Sequence, residues 1–120
     1  MQHKLLHESA GQRTFVVGLK TGEEVMACLQ DFASTQRIFA AQLTAIGAMS
    51  DVVLMYFDWE KKQYLRLPVD EQVEVASLIG DVALAPSGAP ALHIPWSSES
   101  ATAPPWLAIW ERGTSVPPWR

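Results

Sequence analysis

Apolar residues along the chain fall into one stretch with helical spacing and several short runs that suit strands. Thr14 to Leu19 (TFVVGL) is a β-rich run whose nearly unbroken apolar character predicts a strand covered on both faces. Thr21-Gly-Glu-Glu24 then has the capping-box spacing, in which the Thr21 hydroxyl accepts from the first helical turn and Glu24 reaches back. Val25, Cys28, Leu29, Phe32 and Ala33 recur at three-and-four spacing through about Gln36, which predicts a helix with Glu24, Gln30, Asp31 and Ser34 outward. Ala40 to Ile46, Asp51 to Asp58, Gln63 to Leu67, Val73 to Ile79 and Ala91 to Ile94 read as further strands. Gly47-Ala-Met-Ser50 and Asp58-Trp-Glu-Lys-Lys62 read as turns between them, and Gly80-Asp81 and Ser87-Gly-Ala-Pro90 punctuate the last part. The predicted class is α+β: a mainly antiparallel sheet of five or more strands with one main helix packed on it.

In Asp51 to Asp58 both alternating sets are apolar, Val52, Leu54 and Tyr56 on one face and Val53, Met55 and Phe57 on the other. A helix of about 14 residues is roughly 21 Å long and cannot shield both sides of such a sheet. A second subunit, or a missing end of the domain, is the expected cover.

The pattern stops at Ile94. The last 26 residues hold five of the eight prolines and four of the five tryptophans, Trp96, Trp106, Trp110 and Trp119. Neither a period of two nor one of 3.6 persists there, and paired prolines remove backbone donors, so an irregular or polyproline-like tail is expected in place of C-terminal strands. The organisation read from this is an N-terminal segment 1–12, a domain 13–94 and a Pro/Trp-rich tail 95–120.

With 120 residues, 48% hydrophobic, the chain can bury a core without staples. Cys28 is the only cysteine, which excludes an internal disulfide and a multi-cysteine metal site and marks it as a small buried hydrophobe. No apolar run approaches the length of a membrane span and the start lacks a secretory h-region, so a cytoplasmic protein without membrane contact is expected. The net charge is −4, and the cations are scattered apart from Lys61 and Lys62, so there is no basic stripe to neutralise phosphates.

The strings RTFVVGLKTGEEV, LTAIGAMSDVVLMYFD, VEVASLIGDVAL and SGAPALHI, in this order with the helix and the KKQY hairpin between them, resemble the PPC (plants and prokaryotes conserved) domain over about Arg13 to Ile94. Bacterial members are stand-alone proteins of about this size, and plant members carry the domain after AT-hooks in nuclear-localised proteins. The resemblance implies an α/β fold assembling as a homotrimer, and a DNA-binding or regulatory role with DNA or a regulatory protein as partner. It also implies, for several prokaryotic members, a zinc site built from a His-x-His pair on a strand and a later third imidazole, a donor set that leaves one position open. The alternative reading is therefore a trimeric metal- or small-molecule-binding module, with enzymatic chemistry at that site.

Of that ligand set this chain retains His93 alone, because Pro95 stands where the second histidine belongs. One lost base explains the break: Ile-His-Val written ATC CAC GTG G becomes ATC CCG TGG, which reads Ile94-Pro95-Trp96. With synonymous codons chosen freely, the other frame restores a His-x-His, an Arg-Asp-Gly turn and a Gly-His-Leu. A frameshift thus accounts for both the lost motif and the change of composition.

Other constellations carry less. His3 and His7, one helical turn apart if helical, could share a metal but read as solvated. Asp70, Glu71 and Glu74 read as a solvated strand end and not as acid-base machinery. Arg13 and Arg66 lack a glycine-rich phosphate loop and read as surface pairs, and Ser77, Ser87 and Ser97 lack a nucleophile elbow. Ala103-Pro-Pro-Trp106 and Val116-Pro-Pro-Trp119 could serve as proline-rich ligands for aromatic grooves, although four exposed tryptophans read rather as a stickiness liability unless they fold back over the apolar surface left by missing strands. No catalytic residue and no cofactor-binding residue is assigned, and the chain reads as a binding protein in preference to an enzyme.

Overall fold

The structure is a computed structural model, and it describes residues 1–96 and 108–116. Its elements in chain order are β1 (Gln2–Ser9), β2 (Gln12–Gly18), α1 (Val25–Thr35), β3 (Ala41–Asp58), β4 (Gln63–Val69), β5 (Val73–Leu84), β6 (Pro90–His93), β7 (Pro95–Trp96) and β8 (Ala108–Val116). One helix on a mostly antiparallel sheet is the fold that the periodicities imply.

The backbone of the sheet is the 18-residue β3. Its first half, Ala41–Met49, pairs with β5, and its second half, Val52–Asp58, pairs with β4. The two partners lie end to end along one edge of β3, so β3 to β5 is a single long hairpin interrupted near Asp70. On its other edge β3 pairs with β8 from Ala48 to Met55. The sheet runs β6-β5-β3-β8-β7 with β4 beside β3. Its two ends, β6 and β7, are separated in sequence by Ile94 alone. A single residue spans at most about 3.6 Å, so the sheet must curl until both ends meet at Ile94, which is completely buried.

Gly47-Ala-Met-Ser50 is not a turn, because the chain passes straight through it as part of β3. What the glycine marks is a bulge: Ala45 opposes Leu78 and Gly47 opposes Val75, so Ala76 and Ser77 face Ile46 alone. That extra residue lets Val75 and Leu78, three apart, both enter the core with Val25, Met49, Val52, Leu54 and Ile94. Gly80-Asp81 likewise does not end its strand, and β5 continues to Leu84. A Cβ on Gly80 would lie 2.9 Å from Ile94 Cγ1 and 3.0 Å from the His93 carbonyl oxygen, so the glycine is there for close approach.

The expected turns at 58–62 and 87–90 are present. Asp58 Oδ1 accepts from the Glu60 and Lys61 amides at 2.9 and 3.1 Å. Gly88, at φ 86°, donates to the Ala85 carbonyl at 2.9 Å.

The helix begins three residues later than the capping box predicts. Glu24, not Thr21, is the N-cap, and its carboxylate accepts from the Met26 and Ala27 amides. The same carboxylate accepts from the Gly113 amide at 2.9 Å, and Glu24 forms an isolated bridge to Thr114. Gln30, expected outward, donates to the Pro90 carbonyl at 2.6 Å. Both polar residues tie α1 to the sheet.

The expectation of an irregular tail is corrected for 108–116: β8 pairs with both β3 and β7. An unpaired β3 edge beside an extended segment recruits that segment whether or not its side chains alternate, since the ladder is built from backbone. The Trp106 and Trp119 readings and both Pro-Pro-Trp motifs lie outside the described residues. Within the one chain, Val52, Val53 and Leu54 are all buried, so the middle of the two-faced strand needs no second subunit.

β1 and β2 form a separate two-stranded sheet. The expectation that Thr14–Leu19 is covered on both faces fails here, for β2 is mostly exposed and Val16 is half exposed.

Candidate functional site

His93 sits on β6 directly opposite Asp81 of β5, with Nδ1 3.9 Å from the carboxylate and both side chains more than half exposed. Among the described residues no three His, Cys, Asp or Glu side chains converge as a metal would require. His3 and His7 lie on a strand, where four residues span about 13 Å, and not on one turn of helix. The register also shifts between Leu5 and His7. The His3 ring instead packs 5.0 Å from the Phe32 ring and 6.4 Å from that of Phe15, and with the Phe15–Phe32 contact at 5.2 Å it fastens the β1–β2 hairpin to α1. His93 therefore has no imidazole partner among these residues, and they do not fit a three-histidine zinc site.

Arg13 is a cap and not an anion ligand. Its guanidinium donates to the Gln36 carbonyl at 2.9 Å, at the C-terminal end of α1, and lies 5.4 Å from the centre of the Phe15 ring. Arg66 stands on β4 opposite Met55. Asp70 and Glu71 lie exposed in the β4–β5 connection, and Glu74 is exposed on β5.

Cys28 is half-buried on α1, and its Sγ donates to Glu23 Oε2 at 3.1 Å. Burial, with the Glu23 carboxylate beside it, pushes the thiol up to about 11. The terminal amine of Met1 donates to Glu23 Oε1, and this contact, followed by the Cys28 hydrogen bond, holds the Glu23 carboxyl below the usual carboxylate range. Such a thiol is protonated and unreactive at neutral pH.

Two exposed apolar features remain. The first is an open cleft of about 1920 Å³ between the β1–β2 hairpin, α1 and the first half of β3, walled by Phe15, Leu29, Phe32, Leu43 and Met49 among others. The second is the tip of the β3–β4 hairpin. There Phe57 meets Trp59 at 5.5 Å and 84° and Tyr64 at 5.3 Å and 65°, while the Lys62 ammonium stands 4.5 Å from the Trp59 centroid. Reading the 58–62 segment only as a turn misses this cluster. The signal was present in the sequence as aromatic residues on both arms of a hairpin with two adjacent lysines in its loop.

Residues 6–101 match the family model of the Plants and Prokaryotes Conserved (PCC) domain. A plant- and prokaryote-conserved (PPC) protein from Pyrococcus horikoshii is similar in structure, with a TM-score of 0.69 at 28% identity over 81% of this chain and 67% of that one. A metal-containing protein from Archaeoglobus fulgidus gives 0.69 at 27% identity over 80% and 67%. A candidate DNA-binding protein from Ralstonia eutropha JMP134 gives 0.67 at 25% identity over 81% and 66%. The chain thus spans about two thirds of the length of each. No match was found among the curated proteins.

Proposed function

Because the chain belongs to the Plants and Prokaryotes Conserved domain family, we propose that it is a DNA-binding regulatory protein that works as a homotrimer. The match over 6–101 carries this reading, supported by the likeness to a candidate DNA-binding protein. The trimer is supported by what one chain leaves open: the apolar cleft, a β1 strand exposed along its whole length, and Ile46 at 84% exposure with Ile79 at 63%.

Among the described residues the charge distribution supplies no duplex-binding stripe within one chain, since the eight lysines and arginines there are dispersed over β1, β2, β4, β8 and three connections. Assembly around an axis would bring several copies of a weak cationic site together. The test is a titration of labelled duplex DNA across salt concentrations: affinity that falls as salt rises supports the reading. No affinity at low salt overturns it.

The metal-binding alternative is favoured by the likeness to a metal-containing protein, yet the donors described here do not fit the group.

A further inference from the structure

We propose that the outer face of the β3–β4 hairpin binds single-stranded nucleic acid by stacking bases on Trp59 and Tyr64, an inference that rests on the DNA-binding reading and narrows it. Directly opposed residues in an antiparallel pair share a face, and faces alternate along each strand. The pairs Val52–Val69 and Leu54–Leu67 face the core. Phe57–Tyr64 and Met55–Arg66 are therefore on the other side. Three rings gather on that side or at the adjoining tip, and none is part of the core: Trp59 is 74% exposed and Tyr64 54%.

Their geometry suits a stacking platform. Phe57 contacts both rings at steep angles, so edge-to-face packing holds them upright without covering them by parallel stacking. The order is local and already present before a ligand arrives, so little side-chain entropy is lost on binding.

The charges at the tip fit a phosphate backbone better than an apolar partner. Lys62 is held against Trp59 and Lys61 is its neighbour. Against them stand Asp58, whose carboxylate is occupied within the turn by two backbone amides, and the exposed Glu60, so it is Arg66 on the same face that leaves the tip with a cationic excess. A second copy of this chain seated here would have to desolvate both ammonium groups, a cost that phosphate oxygens at a solvated surface do not impose.

Single strands are favoured over duplex by the magnitudes. Duplex affinity comes mostly from phosphate neutralisation, and a chain of net charge −4 is poorly equipped for it. Base–aromatic stacking needs few cations, tolerates any sequence, and draws on the ring faces that this hairpin leaves open.

The experiment is a fluorescence-anisotropy titration of labelled oligothymidylate of about twelve nucleotides, and of a duplex of equal length, with the full chain and with Trp59→Ala, Tyr64→Ala and Lys62→Gln. The single strand should bind more tightly than the duplex. Each aromatic substitution should weaken it by about 5- to 140-fold, and Lys62→Gln should reduce the slope of log K against log salt by about 0.7. The substituted side chains are surface groups, so unchanged melting curves verify folding. Duplex binding without single-strand binding overturns this inference and leaves the DNA-binding reading standing; binding of neither overturns both. Single-strand affinity indifferent to Trp59 and Tyr64 overturns it too, as does a Trp59→Ala chain that changes only its assembled mass, which would make the tip a subunit contact.

Discussion

Cys28 shows how one neighbour changes a side chain's chemistry. The sequence places it on the apolar stripe of a helix, and the structure adds Glu23, whose carboxylate accepts a hydrogen bond from the thiol. A thiol pushed up to about 11 holds roughly a hundredth of the thiolate of an ordinary one, while its higher basicity recovers about tenfold in nucleophilicity. Labelling with a disulfide reagent at pH 8 should therefore run about tenfold slower than in the urea-unfolded chain. Because the folded value is raised, this group's contribution to stability is whole below about pH 9 and is lost as pH climbs through about 11. Gly80 is the second such residue. Gly80→Ala should destabilise the protein by about 1–2 kcal/mol in urea titrations, because crowding of Ile94 and the His93 carbonyl outweighs the stiffer unfolded chain. Sequence reasoning saw this glycine as a breaker, since nothing local reveals that a residue 14 positions away lies across it. His93 was legible as the remnant of a motif, and its lack of imidazole partners among the described residues follows from Pro95 and from the position of β1 at the other side of α1.

Among the elements, α1 was readable because its stripe is local: Val25, Phe32 and Ala33 are buried as their spacing demands. Its cap was misassigned for a tertiary reason. Thr21 and Glu24 both have capping chemistry, and Glu24 prevails because its carboxylate also meets the buried Gly113 amide from β8. Glu24→Ala removes an N-cap worth about 1 kcal/mol and strands a buried donor at a cost of about 1–3 kcal/mol. A loss of about 2–4 kcal/mol in denaturant titration is expected, against about 1 kcal/mol if the helix cap alone mattered. β3 was split into two strands in the sequence reading because Gly47 and Ser50 look like turn residues. They are bulge positions, where register shifts against β5 and β8. β8 itself was invisible to pattern analysis, for its formation depends on backbone groups of β3 that offer it an edge.

At the scale of the whole molecule, the order β6-β5-β3-β8-β7 and the single residue between β6 and β7 make the sheet curl around Ile94. Both faces of Val52–Leu54 are buried inside one chain, which removes part of the argument for partners drawn from the two-faced strand. What remains is the open cleft beside a hairpin that has only two strands, an arrangement marginal by itself in water. Light scattering at micromolar concentration should give three times the 13.3 kDa chain mass. Replacing Leu6, an exposed bulge residue of β1, with Asp should reduce that mass if the hairpin is part of the contact. A monomeric mass for the unaltered chain would remove the trimer from the proposal.

The sequence alone determined the class of fold, the helix and its buried stripe, the turns at 58–62 and 87–90 and the family, because each rests on residues near one another in the chain. It also determined that the histidine set is broken at Pro95. Only the tertiary structure decided that β3 is continuous, that Glu24 and not Thr21 caps α1, and that Gly80 makes room for Ile94. The same holds for the recruitment of 108–116 as a strand and for the aromatic cluster of Phe57, Trp59 and Tyr64 at one exposed tip. Those outcomes depend on which distant segments share an edge or a face, and alternation along a strand carries no information about its neighbours.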